Sequence, residues 1–234
     1  MSLRIPIPLE HLRAAHKGLL LDSYLPATTK DDAKRKALQA IARVDSSYPA
    51  YKLAFARWKD ATQHCVHFEA RVRDRLAIGL GNASVHEIGV RLHSTYGTPI
   101  IPGSSIKGAF RAFIQENPAY MEMAGFLFGK PDQAAFVRTL DAWWVPDGAR
   151  SGFALDVITV HHQAYYSGRT APADTESPTP VSWLNVTGKF YFAIEPPAGA
   201  PDSSWPQLIE KSLRALLQSR GLGAKTRAGY GHFI

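Results

Sequence analysis

Gly221, Gly223, Gly229 and Gly231 punctuate the eleven residues from Gly221 to Gly231, with the cations Lys225 and Arg227 between the two glycine pairs. A residue without Cβ takes positive φ at little cost and lets another backbone come close. Free N–H groups, two cations and little side-chain bulk make a surface suited to phosphates. Thr226 adds a hydroxyl, and Tyr230 and His232 add rings of a kind that stacks on bases. A helix C-cap at Gly221 explains the first glycine and leaves the other three unexplained. A nucleoside-triphosphate loop does not fit either. That loop needs G-x-x-x-x-G-K-[ST] leading into a helix; here Ala224 precedes Lys225 and only eight residues follow Thr226.

A second phosphate-like stretch is Pro102, Gly103, Ser104, Ser105, Ile106, Lys107 and Gly108. It reads as a loop feeding a helix from Ile106 to Gln115, with Ser104 or Ser105 as N-cap. Amides at a helix N-terminus attract anions, the two hydroxyls add donors, and Lys107 and Arg111, four apart, share a helix face. Plain capping beside two solvated cations accounts for the serines equally well. His161 and His162 stand near Tyr165, Tyr166 and Asp156. Adjacent strand residues point to opposite faces, and Asp156 lies roughly 20 Å from His162 along a strand, so a shared metal is not expected. His86 beside Glu87 is a similarly weak pair, and Cys65, the single cysteine, allows no internal disulfide and no thiolate zinc cluster.

These residues need elements to hold them. Helix formers with apolar residues at helical spacing predict helices over Ala33–Arg43 and Ala50–Thr62, broken by Ser46, Ser47 and Pro49. The period then changes to two, and His67–Arg73 reads as a strand whose polar face carries Arg71 and Arg73. Leu76–Gly97 is unassigned, and Phe126–Gly129 and Trp143–Pro146 read as a mixed region. Phe153–Val160 reads as a buried strand, Ser167–Pro180 as an exposed mobile loop, and Val186–Ile194 as a strand. Trp205–Arg220 is a helix with Leu208, Ile209, Leu213, Leu216 and Leu217 on one stripe, and Tyr230–Ile234 a terminal strand. The order strand, helix, strand, strand, helix, strand predicts an α+β fold: a ferredoxin-like (βαββαβ, RRM-like) antiparallel sheet with two helices, plus N-terminal helices and insertions. Residues 1–64 are expected as a helical extension packed on a core domain of residues 65–234.

Hydrophobic residues at 45% and charged residues at 20% describe a chain that can bury a core. Residues 1–75 carry 14 Lys and Arg against 8 Asp and Glu, so nearly all of the +7 formal charge sits in the first third. Such a balance attracts polyanions. The sequence has no apolar run long enough to cross a bilayer and no signal-peptide pattern at its start, which with the lone cysteine predicts a cytoplasmic location and no membrane partner.

The spacing glycine, apolar, glycine, five residues with Lys or Arg, glycine, any, glycine resembles the signature of the RAMP superfamily of CRISPR proteins. Thr98–Ala109 (TPIIPGSSIKGA) and Asp156–Tyr166 (DVITVHHQAYY) resemble stretches of the sixth-subunit family of type III-B (Cmr) effector complexes. The resemblance spans roughly residues 70–234. It implies a non-catalytic RNA-binding subunit, toward the 3′ end of a guide RNA, with guide and target RNA and other effector subunits as partners in antiviral defence. No cofactor and no metal are implied. On this reading Ser104, Ser105, Lys107, Arg111, Gly221, Gly223, Lys225, Thr226, Arg227, Gly229, Tyr230, Gly231 and His232 meet RNA, and Arg71, Arg73 and Arg75 extend the track. The alternative is a metal-independent endoribonuclease that processes guide RNA, as other members of the superfamily do, using His86, His161, His162, Tyr165 or Lys225.

Overall fold

The computed structural model describes residues 16–24, 31–81, 89–148, 151–160, 168, 171, 179–196 and 204–234. The helices are α1 (Lys17–Leu19), which runs into a π-helical turn at Leu20–Tyr24, α2 (Asp31–Ala42), α3 (Pro49–Ala61), α4 (Gly103–Gln115), α5 (Met121–Phe128) and α6 (Ser204–Ser219). The strands are β1 (Val66–Arg71), β2 (Ile100–Ile101), β3 (Arg138–Thr139), β4 (Ala142–Trp144), β5 (Phe153–Val160), β6 (Thr179–Val186) and β7 (Lys189–Glu195). Both sheets of this α+β chain are antiparallel.

The period-two pattern of β1 works as the sequence predicts: Val66, Phe68 and Ala70 are buried, while His67 and Arg71 face outward. Its partner β7, in register with Phe68 opposite Phe192, is buried from Phe190 to Ile194 without alternation. A continuous apolar run of this kind belongs to a strand covered on both faces. One face packs Phe190, Phe192 and Ile194 with Ile106 and Phe110 of α4 and Leu213 and Leu217 of α6. The other packs Tyr191 and Ala193 with Phe55 of α3, Cys65 and Val145. Trp58 and Tyr51 of α3 also stack on Trp143, at 5.1 Å and 6.0 Å between ring centroids. Tyr51 Oη donates to the Trp144 carbonyl, which supplies the hydrogen bond its buried hydroxyl requires.

On the far side of β7 lie β3 and β4, two short stretches on one edge, with β2 beyond β4. The expected second strand of this sheet, Phe153–Val160, is a strand but pairs with β6 in a separate two-stranded ribbon. Only Phe153 of its described side chains is buried. The base of the ribbon joins the main core through Phe153 and Val186, while further along Leu184 packs with Leu38 and Ile41 of α2 and Leu155 joins from β5. Pairing in β6 begins at Thr179, so the end of the expected Ser167–Pro180 loop is strand; residues 161–167, 169–170 and 172–178 are outside the described set. The terminal strand is reduced to a bridge between Val72 and Phe233, flanked by Arg71 and Ile234 exchanging both N–H···O bonds at 3.1 Å and 2.8 Å. In α6, Ile209, Leu213, Leu216 and Leu217 form the buried stripe. Leu208 falls off that stripe, 48% exposed.

Lys17 has an unusual setting for an ammonium group, with only 2% of its surface exposed. Its Nζ donates to Ser46 Oγ at 2.8 Å and to the Asp45 carbonyl at 3.0 Å, and lies over the Phe153 ring. Burial outweighs the nearby Asp45 charge and lowers its pKa from 10.5 to about 8. Below pH 8 both folded and unfolded chains hold the proton and the cost of burying the charge is fully present. Between pH 8 and 10.5 the unfolded chain holds more protons, so stability rises with pH. The expected gain from this residue is about 2 kcal/mol between pH 8 and 10. Denaturant unfolding of the wild type and of Lys17→Met at both pH values checks it, because the difference cancels the tyrosines. Parallel pH profiles for the two proteins would show that Lys17 does not titrate in this window.

Candidate nucleic-acid interface

The helix α6 ends at the glycine run. Gly221 adopts φ 74° and its N–H closes onto the Leu216 carbonyl at 2.9 Å, so the expected cap is present. The other glycines serve the protein's own backbone more than an approaching ligand. Gly223, Gly229 and Gly231 also hold positive φ, at 86°, 91° and 73°. A Cβ on Gly223 would lie 2.3 Å from the Ala77 carbonyl oxygen, and one on Gly231 would lie 1.8 Å from that of Leu222. Close packing is needed because the loop is threaded between neighbours: Leu222 N–H donates to Gly231 O, Ala224 to Ala77 O, and Gly231 to Arg75 O.

This threading consumes much of the donor set that the glycine spacing suggests. The amides of Leu222, Ala224, Ala228, Gly229, Tyr230 and Gly231 all donate to backbone carbonyls. Those of Gly223, Lys225, Thr226 and Arg227 have no acceptor among the described residues. They surround a 3-10 turn, Thr226–Ala228, entered through Lys225 in the left-handed region at φ 58°. Lys225 is the only described non-glycine residue with positive φ. A side chain there costs on the order of 1 kcal/mol, and such residues cluster where backbone geometry serves a site. Lys225 and Arg227 are exposed, with no carboxylate partner among the described residues.

The two ring residues are held as framework instead of standing free to stack. Tyr230 Oη donates to Asp156 Oδ2 at 2.8 Å, and its ring lies 5.6 Å from that of Trp183. Burial, then the Asp156 hydrogen bond, pushes the phenol's pKa upward. His232 places Nδ1 3.1 Å from the Gln218 carbonyl and Nε2 3.1 Å from that of Thr226, tying the end of α6 to the 3-10 turn. The expected arginine track is also mostly engaged. Arg71 pairs with Asp147 at 2.7 Å, and Arg75 pairs with Asp156 at 3.1 Å and donates to the Leu155 carbonyl. Arg73 is exposed and without a carboxylate partner among the described residues.

The second stretch is built differently from the sequence reading. α4 starts at Gly103, with Pro102 at the N-cap position and no side-chain cap, so Ser104 and Ser105 sit within the first turn. The Gly103 amide is already taken by Asp141 Oδ1 at 2.7 Å. A carboxylate from the β3–β4 edge therefore occupies the positive end of the helix and competes with any phosphate there.

Two clefts meet at the loop. One, of about 460 Å³, is bordered by Leu80, Arg91, Pro102, Ser104, Ser105 and Gly223. The other, of about 340 Å³, lies between α4 and α6 and reaches Gly223, Thr226, Arg227 and His232. Gly223 borders both, so the structure brings the two predicted stretches to a single surface. Lys107 and Arg111 border neither cleft. At 3.6 residues per turn they lie across α4 from the row Ser105, Ala109, Ala112 and Glu116. Arg91 and Phe113, which the sequence reading passes over, do border the clefts. Arg91 lies in the unassigned segment, and Phe113 follows Phe110 at a spacing that reads as core. His86, Glu87, His161, His162, Tyr165 and Tyr166 lie outside the described residues.

The RAMP superfamily model matches residues 69–234 of the chain. The CRISPR system Cmr subunit Cmr6 of Pyrococcus furiosus is 24% identical over a 278-position alignment covering 92% of this chain and 78% of that protein. The CRISPR system CMR subunit Cmr6 of Saccharolobus solfataricus is 30% identical over 172 positions, 72% of this chain and 57% of the relative's length. Among solved structures, a chain in the cryo-EM structure of the type III-B Cmr-beta bound to cognate target RNA superposes with a TM-score of 0.69 at 26% identity. That match covers 85% of this chain and 69% of that one.

Proposed function

Since the chain belongs to the RAMP superfamily, we propose that it is a non-catalytic RNA-binding subunit of a type III-B CRISPR effector complex. It holds guide RNA, toward the 3′ end, and its target duplex in antiviral defence. The observation that carries this is the surface at Gly223, where amides and the cations Lys225 and Arg227, without acceptor or carboxylate partners among the described residues, stand beside two clefts. A strand of phosphates supplies the charge that these groups lack. The Cmr6 relatives and the RNA-bound Cmr-beta structure support the assignment to this kind of complex. The ferredoxin-like reading of the core takes β1, α4, β3–β4, β7, α6 and the residues around Phe233 as its six elements. It is supported by the neighbour order Phe233, β1, β7, β4 and by α4 and α6 sharing one face.

Ultraviolet crosslinking of the complex assembled on its guide RNA, followed by peptide mapping, tests the placement. Crosslinks are expected in the peptides spanning residues 221–232 and 102–113. Crosslinks confined to residues 31–61, where Lys36, Arg43, Lys52 and Arg57 are exposed, would take the RNA away from the loop. Incubation with repeat RNA in EDTA should leave the RNA intact, whereas specific cleavage lost on His161→Ala would establish the endoribonuclease alternative.

A further inference from the structure

The trough between α4 and α6 has features that a phosphate cradle does not need. Its α4 side presents Ala109 and Ala112, small side chains that leave room, followed by the half-buried ring of Phe113. Leu216 of α6 forms part of the wall. Arg220 borders it, and its Nε and Nη2 both reach Glu116 Oε2, at 3.2 Å and 2.7 Å. Gly223 and Arg227 of the loop border it too. The trough thus combines alanine, leucine and phenylalanine surface with polar groups along its border, the Glu116–Arg220 pair among them, and adjoins the surface proposed to hold RNA backbone.

We infer that this trough is a nucleobase site: one base of the strand crossing the loop leaves the stack and inserts between α4 and α6 against Phe113. The inference rests on the RNA-binding reading of the loop and adds what lies beyond the phosphates. Unstacked bases of single-stranded RNA are taken up on aromatic rings, with sequence tolerance when stacking dominates and preference when polar groups meet the base edge. The Glu116–Arg220 pair is the group placed to meet that edge. A volume of about 340 Å³ falls at the lower end of the range for small-ligand sites and suits a single base. His232, with a ring nitrogen 3.1 Å from the Thr226 carbonyl, borders that side of the entrance.

The test uses the full chain in the complex assembled on its guide RNA, and RNAs in which one position at a time is abasic. Wild type should lose about tenfold in affinity at one position, the weight of one base–aromatic stack. Ala112 is exposed and faces the trough, so Ala112→Leu fills it without touching the core. That variant should bind intact RNA about tenfold more weakly and lose its sensitivity to the abasic position, while its salt dependence stays that of wild type. Phe113→Ala should behave in the same way. If no abasic position matters in wild type, or if the complex carrying Ala112→Leu binds RNA as wild type does, the trough is not a base site; a variant that fails to enter the complex at all would show that the trough meets protein instead. Failure of the underlying reading looks different: the salt dependence would then be unaffected by charge removal at Lys225 and Arg227.

Discussion

Removing both loop cations, by Lys225→Ala together with Arg227→Ala, is expected to weaken RNA binding on the order of 100-fold at moderate salt. The basis is about 1.5 kcal/mol for each charge-assisted hydrogen bond to phosphate that the double variant can no longer make. The slope of log K against log salt should flatten by about 1.4, since each single-strand phosphate neutralised contributes ~0.7. Folding should be little changed, because both side chains are exposed and lack carboxylate partners among the described residues. Titrations by fluorescence anisotropy at several salt concentrations read both quantities. Lys225→Gly is an informative companion, since it relieves the left-handed backbone at φ 58° while deleting the charge. It should raise the unfolding midpoint slightly and still weaken binding. Unchanged affinity and slope in the double variant would remove the loop from the RNA path.

The largest effect on folding is expected from Gly231→Ala. The added methyl would sit 1.8 Å from the Leu222 carbonyl oxygen in a residue held at φ 73°. Neither atom can retreat easily, because Leu222 N–H donates to Gly231 O and Gly231 N–H donates to Arg75 O. A loss beyond about 4 kcal/mol is expected, in the range reserved for severe core and backbone conflicts. Gly229→Ala provides the contrast: nothing lies within 4 Å of its built Cβ. Its cost should be the conformational one alone, about 1 kcal/mol. Denaturant unfolding of the two variants separates them, and equal losses would contradict the packing account.

The glycine spacing was readable as a site because φ preference and lack of bulk are properties of the residue itself. Its reason was only half readable. Ala77 and Arg75, whose carbonyls take the loop amides, lie about 150 residues away in sequence, and no local pattern points to them. The helices α3, α4 and α6 carry their stripes in sequence and were placed to within a few residues. By contrast β3 and β4, two and three residues long, show no period, so Phe153–Val160 looked like the missing strand. Its β-branched residues do form a strand, but what covers it, α2, is a matter of tertiary packing. The capping of α4 by Asp141 was hidden for the same reason, 38 residues from the amide it meets. Tyr230 and His232 were recognisable as rings and not as struts, because their partners Asp156, Gln218 and Thr226 become neighbours only in the folded chain.

The stack of Trp58 and Tyr51 on Trp143 bears on where a nucleic acid can go. RNA-recognition motifs of the four-stranded kind read bases on the open face of the sheet, through aromatic rings on its strands. Here the strand β4 offers such a ring, Trp143, and α3 lays two of its own aromatic side chains on it. Two protein rings thus lie where a sheet-reading RNA-recognition motif stacks bases. That surface is covered for as long as α3 stays docked, which leaves the loops at the sheet's margin as the place for the RNA contacts proposed above.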